Sequence, residues 1–116
     1  MADCLFCRIR DGEIPAEIVH SDEHCLALRD INPQAPLHLL VIPRLHIATL
    51  NDLLPDHREL VGHLHLVAAK LAQDGGYGGP ERGYRVLFNC QKQAGQTVFH
   101  LHLHVLAGRA LKWPPG

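Results

Sequence analysis

The chain has 116 residues, with 11 Lys and Arg against 12 Asp and Glu and a formal net charge of −1. That near-balance offers no basic field to gather nucleic acid, and no apolar run approaches the ~18 residues of a membrane span. At 47% hydrophobic residues the chain can bury a core without disulfide staples, so one domain over residues 1–116 is expected. The opening "MADCLFCRIRDGE" lacks the apolar stretch of a secretory signal, and a cytoplasmic home follows as the expectation. There, Cys4, Cys7, Cys25 and Cys90 are expected as free thiols or ligands.

Residues 3–10 (DCLFCRIR) predict a short helix capped by Asp3 and ended by Gly12. Residues 16–30 predict a hairpin that turns around Ser21–Glu23. "NPQAP" (32–36) is a loop, because two prolines break regular structure. "LHLLVIPR" (37–44) predicts a strand buried on both faces. From Leu53 to Gln73 the pattern is helical, with Leu60, Val61, Leu64, Ala68, Leu71 and Ala72 on one stripe and Pro55 near the start. Residues 75–83 are a glycine-rich loop, 84–89 a strand, 90–96 a second loop and 97–107 a last strand. The fold class is therefore α+β: a five-stranded antiparallel meander sheet with one long and one short helix, the long helix on one face.

The last strand carries the chemistry. In "TVFHLHLHVLAGR" (97–109), His100, His102 and His104 alternate with Leu101, Leu103 and Val105. Strand side chains point to opposite faces in turn, so the leucines and valine face a core and the imidazoles share the other, open face. At about 3.3 Å per residue, His100 and His104 stand roughly 13 Å apart, too far for one metal at bonds of about 2.0–2.1 Å. The three must divide their labour. Such a row can be a metal site, a nucleophile with acid–base helpers, or a passive surface. His102 is central and best placed to attack phosphorus or a carbonyl. Gly95, Gln96 and Thr97 precede it and offer close backbone approach and neutral donors suited to a phosphoryl group. Among the ten histidines, His20, His24, His57, His63 and His65 have no constellation around them and read as structural or surface residues. Asp30 reads equally as a turn-starter before Asn32-Pro33, and His38 as a core histidine on a buried strand.

These residues resemble the histidine triad (HIT) superfamily. "HLHLHVL" matches its His-φ-His-φ-His-φ-φ signature. "RDINPQAPLHLLVIPRLH" (29–46), "GYRVLFN" (83–89), "GQTVFHLHLHVLAGR" (95–109) and the terminal "WPPG" look like its nucleotide-binding, or Hint, branch, along essentially the whole chain. The resemblance implies hydrolysis of P–N bonds in purine, mainly adenosine, nucleoside phosphoramidates through a nucleotidyl-histidine. It implies His102 as nucleophile flanked by His100 and His104, with His38 as a fourth active-site histidine. Gln96 and Thr97 would contact phosphate and leaving group, Asp30 and Asn89 the ribose, and Ile31 and Phe6 the base. It implies no cofactor for catalysis, and a homodimer built from the 57–73 helix and histidine-side strands, with Lys112–Gly116 reaching the partner's site. The alternatives are a nucleotide-binding scaffold with incidental activity and a dinucleoside polyphosphate hydrolase. Two features depart from the branch: Ala94, where glycine is common, and "CLFC". The Cys-x-x-Cys spacing suits one tetrahedral ion, and zinc-bearing relatives suggest Cys4, Cys7, His46 and His100 as a structural site; two free thiols on a short helix are the plainer reading.

Overall fold

Two sets of apolar side chains alternate along the central strands, and each set meets its own helix. The computed structural model describes residues 4–116. It contains α1 (Leu5–Arg10), β1 (Ile18–Ser21), β2 (Cys25–Arg29), β3 (Leu37–Pro43), α2 (Arg58–Asp74), β4 (Tyr84–Leu87) and β5 (Leu103–Ala107). All pairings are antiparallel, in the order β1-β2-β3-β5-β4. The predicted α+β antiparallel sheet is present, and its first three strands meander. After β3 the chain crosses over through α2 to the far edge as β4, and β5 returns between them. The long helix forces this: it must cover the sheet before the next strand can pair.

All seven residues of β3 are buried. Leu37, Leu39 and Val41 pack with Cys25, Ala27, Leu103 and Val105 against Leu64, Val67, Ala68 and Ala72 of α2. Leu40 and Ile42 point the other way and pack with Leu26 and Leu28 against Phe6, Cys7 and Ile9 of α1. A strand buried on both sides needs an unbroken apolar run, which is what the sequence supplies. The face expected to be open is thus partly covered by α1. Six residues are too few for a helix to stand alone, so α1 depends on that burial. Its N-cap is Cys4; the expected cap, Asp3, lies outside the described residues.

Two expected boundaries move. The long helix begins at Arg58 rather than Leu53, because Thr49 and Asp52 form a capping box on a short 3-10 turn and a second turn spans Pro55–His57. The last strand begins at Leu103 rather than Thr97, since Leu101 N–H turns away to the Ile47 carbonyl at 2.7 Å. Among the described residues, no helix is long and apolar enough to cross a membrane.

His20 and His63, expected to be without a constellation, share one. The Asp22 Oδ2 in the β1–β2 turn accepts from His20 Nε2 at 2.7 Å and from His63 Nε2 of α2 at 2.8 Å. Its Oδ1 accepts the His24 and Cys25 backbone N–H at 2.7 and 2.9 Å. Burial opposes the charge, but these bonds outweigh it and hold the carboxyl well below the usual carboxylate range. A carboxyl with a lowered folded pKa stabilises above its unfolded value, near 3.9, and loses that contribution as pH falls further. Asp22→Asn should therefore cost about 2 kcal/mol at pH 7, the scale of a hydrogen bond to a charged group. Urea unfolding of both proteins should show the gap narrowing below about pH 4; a gap constant from pH 7 to pH 3 would contradict this role.

Candidate active site

Alternation along β5 does put His102 and His104 on the face opposite Leu103 and Val105, which are fully buried. Each imidazole then has a tautomer that its neighbours dictate. A ring nitrogen that meets a carbonyl oxygen must donate, which leaves the lone pair on the other nitrogen. His102 Nδ1 donates to the His100 carbonyl at 2.7 Å, so Nε2 carries the lone pair. His38, at the start of β3, accepts the Gln34 backbone N–H on Nδ1 at 3.0 Å, so its Nε2 is the donor. That Nε2 donates to His104 Nδ1 at 2.9 Å. His104 is left with its proton on Nε2, a buried atom with no hydrogen-bond partner among the described residues. A buried donor left unmade costs about 1–3 kcal/mol and calls for an acceptor.

Burial keeps these rings uncharged. It pushes His104 down to about 4, helped by His102 and His38, and lowers His102 and His38 as well, against the raising effect of Asp30.

His102 and His104 line a cavity of about 340 Å³ between α1 and the sheet, and His38 stands behind His104, outside the lining. The cavity lining combines apolar Leu5, Phe6, Ile9, Ile14 and Leu28 with polar Asp30, Thr97, His102 and His104. Ile31 stands 98% exposed at the mouth. Phe6 lies edge-on to His102 at 5.1 Å between ring centroids. Asp30 starts the turn, as one of its two readings had it. Its Oδ1 accepts the Asn32 N–H at 2.8 Å, while Oδ2 lies 3.4 Å from His38 Nε2. A larger hollow, lined by Gln73, Gly76, Gly78, Gly79 and Tyr84, contains no acid–base cluster.

Three expected contacts fall differently. Gln96 is buried and fully committed: Oε1 accepts the Gln91 N–H at 2.9 Å, and Nε2 donates to the Ala48 and Val98 carbonyls at 2.8 and 3.1 Å. Its amide closes the loop before the histidines instead of reaching into the cavity. That loop needs left-handed backbone at Gly95 (φ 92°) and, unusually, at Gln91 (φ 73°). Asn89 is half-buried outside the cavity lining. His100, the first of the three histidines, is fully buried away from the cavity. No sequence pattern pointed to Gln34, whose part is played by its backbone, or to Val98, Ile14 and Leu28 in the lining.

His100 belongs to a second cluster. Its Nε2 donates to the Pro43 carbonyl at 2.7 Å, so Nδ1 presents a lone pair. Facing that nitrogen are Cys4 Sγ at 3.2 Å, Cys7 Sγ at 3.5 Å and His46 Nδ1 at 3.2 Å. Cys7 Sγ is 3.3 Å from His46 Nδ1. All four donor atoms lie within 4.8 Å of one another. Tetrahedral zinc, with bonds of about 2.0–2.1 Å to nitrogen and 2.3 Å to sulfur, sets its ligands about 3.3–3.6 Å apart where nitrogen is involved. The donor set and its spacing fit such an ion. Burial, then Cys4, pushes the Cys7 thiol above its ordinary value, a penalty that a cation reverses.

Comparison with known proteins agrees with this geometry. Residues 3–112 match the family model described as the scavenger mRNA decapping enzyme C-terminal binding domain. An uncharacterised HIT-like protein of Synechococcus elongatus is 48% identical over 114 residues, covering 98% of this chain and 97% of the relative. A HIT family hydrolase from Legionella pneumophila superposes with a TM-score of 0.95 at 53% identity, over 98% of this chain and 100% of that one. A zinc-bound histidine triad protein from Mycobacterium smegmatis superposes with a TM-score of 0.78 at 36% identity, over 93% and 76%. Whole-length matches to relatives of that name, on a sheet with alternating histidines at one cavity, make this chain a member of the histidine triad family.

Proposed function

We propose that the protein belongs to the Hint branch and is a hydrolase of purine nucleoside 5′-phosphoramidates. One observation carries the reading: His102, whose Nε2 carries a lone pair, and His104, whose Nε2–H has no partner among the described residues, line a single cavity. The first is a nucleophile and the second a donor for an anionic oxygen. The apolar lining of the cavity suits a base, and the Asp30 Oδ2 suits ribose hydroxyls.

In the proposed reaction His102 Nε2 attacks the α-phosphorus. The P–N bond breaks, its electron pair stays with the nitrogen, and the amine leaves with a proton taken from solvent, which the water of the second step returns. His102 is then bonded to phosphorus through Nε2, while Nδ1–H still donates to the His100 carbonyl, which steadies the positive ring. Water attacks the phosphorus and loses a proton, and His102 departs neutral. The products are a nucleoside monophosphate and an amine. His104 Nε2–H holds a phosphoryl oxygen throughout, and Thr97 stands at the leaving-group side. Cys4, Cys7, His46 and His100 hold one zinc, which ties α1 to the sheet when bound. The protein acts as a homodimer; Leu66 on α2 and Trp113 in the tail, 72% and 82% exposed, supply apolar surface for a second copy.

His102→Ala should keep nucleotide binding but lose at least about 10³-fold in turnover, because the covalent route is gone. An AMP–amine conjugate assayed beside a dinucleoside polyphosphate measures this. Preference for the polyphosphate, or full activity in the variant, would reject the reading. Asp30→Ala should weaken ribonucleotide binding by about 10- to 150-fold, the equivalent of roughly 1.5–3 kcal/mol. Calorimetry should show a smaller loss for the 2′-deoxynucleotide; equal losses would remove Asp30 from the 2′-hydroxyl. Metal analysis of untagged protein should find about one zinc per chain, gone in the Cys4→Ser, Cys7→Ser double variant together with a lower Tm. Zinc near zero in the parent protein would discard the site.

A further inference from the structure

His102 and the four-donor cluster share a backbone atom and an aromatic ring. Residues 96–102 run outside the strand ladder, with β5 beginning only at Leu103. Among the described residues, Leu101 N–H to the Ile47 carbonyl is the one backbone bond found in residues 98–102 outside regular elements. The His100 carbonyl that orients His102 is therefore held largely through its own side chain. That side chain is pinned at Nε2 by Pro43 and faces the donor cluster with Nδ1. The second link is Phe6. It sits between Cys4 and Cys7, its ring 5.9 Å from His100 and 5.1 Å from His102. The hydrogen bond that orients the nucleophile leads back to the same four donors, while Phe6 packs beside both histidines and is held by the apolar layer.

We propose that a metal ion held by Cys4, Cys7, His46 and His100 positions His102, so that its loss lowers turnover while nucleotide affinity stays. The inference rests on the reading of His102 as nucleophile and adds a role that a purely structural ion would not have. The affinity is spared because Leu28, Asp30 and Ile31 lie on the β2 side of the cavity, off the cluster. The sheet survives as well. Arg10 Nη1 still donates to the Arg44 carbonyl at 2.7 Å, and Phe6 and Ile9 still pack on Leu26, Leu28, Leu40 and Ile42. Without a cation, however, the His100 Nδ1 lone pair faces only His46 Nδ1 at 3.2 Å and the two thiols, so the ring turns to whichever of them donates, and the His100 carbonyl moves with its ring.

The test compares metal-loaded, chelator-stripped and reloaded full-length protein. It reads metal content, kcat and KM on an AMP–amine conjugate, AMP affinity, and the ring-nitrogen NMR shifts of His102. Stripping should lower kcat about 10- to 100-fold, the range for groups that orient a site at one remove, with AMP affinity within about twofold. The His102 shifts should depart from the Nδ1–H tautomer, and reloading should restore both. A stripped, folded protein with unchanged kcat and unchanged His102 shifts would overturn the proposal. If circular dichroism shows that stripping unfolds the chain, exchange of zinc for the larger cadmium ion decides instead. Displaced His102 shifts with altered kcat support the coupling, and identical shifts and rate overturn it. A loaded protein that turns over no conjugate would strike the proposed reaction, while the shifts would still decide the coupling.

Discussion

The His100 imidazole has no solvent exposure, so both of its nitrogens must be satisfied inside the protein. Nε2 gives its proton to the Pro43 carbonyl at the end of β3. Nδ1 is thereby fixed as an acceptor among two cysteines and His46. The backbone carbonyl of the same residue takes the Nδ1 proton of His102. One buried ring thus joins the N-terminal helix, the central strand and the site. Changing it to a residue of similar size without two ring nitrogens would leave a buried carbonyl and a cluster of donors without a partner.

The sheet separates stability from chemistry. Its α2 side has an apolar centre, with Leu64, Leu103 and Val105 at zero exposure, and its role is burial. At about 25 cal/mol per Å² of apolar surface, this layer is the main source of folding free energy. The α1 side is mixed. Leu26, Leu28, Leu40 and Ile42 pack the short helix, and His38, His102 and His104 stand along the same face where the helix leaves room. A helix of six residues spans about 9 Å, enough to close one end of the face and too little to cover the other. The cavity is the uncovered remainder, and the desolvation that keeps the histidines neutral comes from its walls.

Periodicity carried much of this in the sequence. Alternation predicts the buried strand at 37–44 and the facing of His102 and His104, and the 3.6-residue stripe predicts α2. What escaped depends on pairs distant in sequence. Leu101 ends the strand early because of Ile47, and His63 and Asp22 meet across 41 positions. Gln96 looked like a donor for a ligand because its residue type is right, yet loop closure uses every atom of its amide. The His38–His104 bond turns on the Gln34 backbone N–H, and no side-chain pattern encodes a backbone group. Conversely, Cys4, Cys7, His46 and His100 came together from a resemblance to relatives, and the structure places their donor atoms within bonding range of one ion.

The account stands on the free lone pair of His102 Nε2. Rapid quenching of the wild-type protein with an AMP–amine conjugate, followed by digestion and mass spectrometry, tests it most directly. A nucleotidyl group on His102 that forms and decays at the rate of turnover is the predicted result. The same group on His104, His38 or any other residue would contradict the account, and so would turnover with no covalent species at any time.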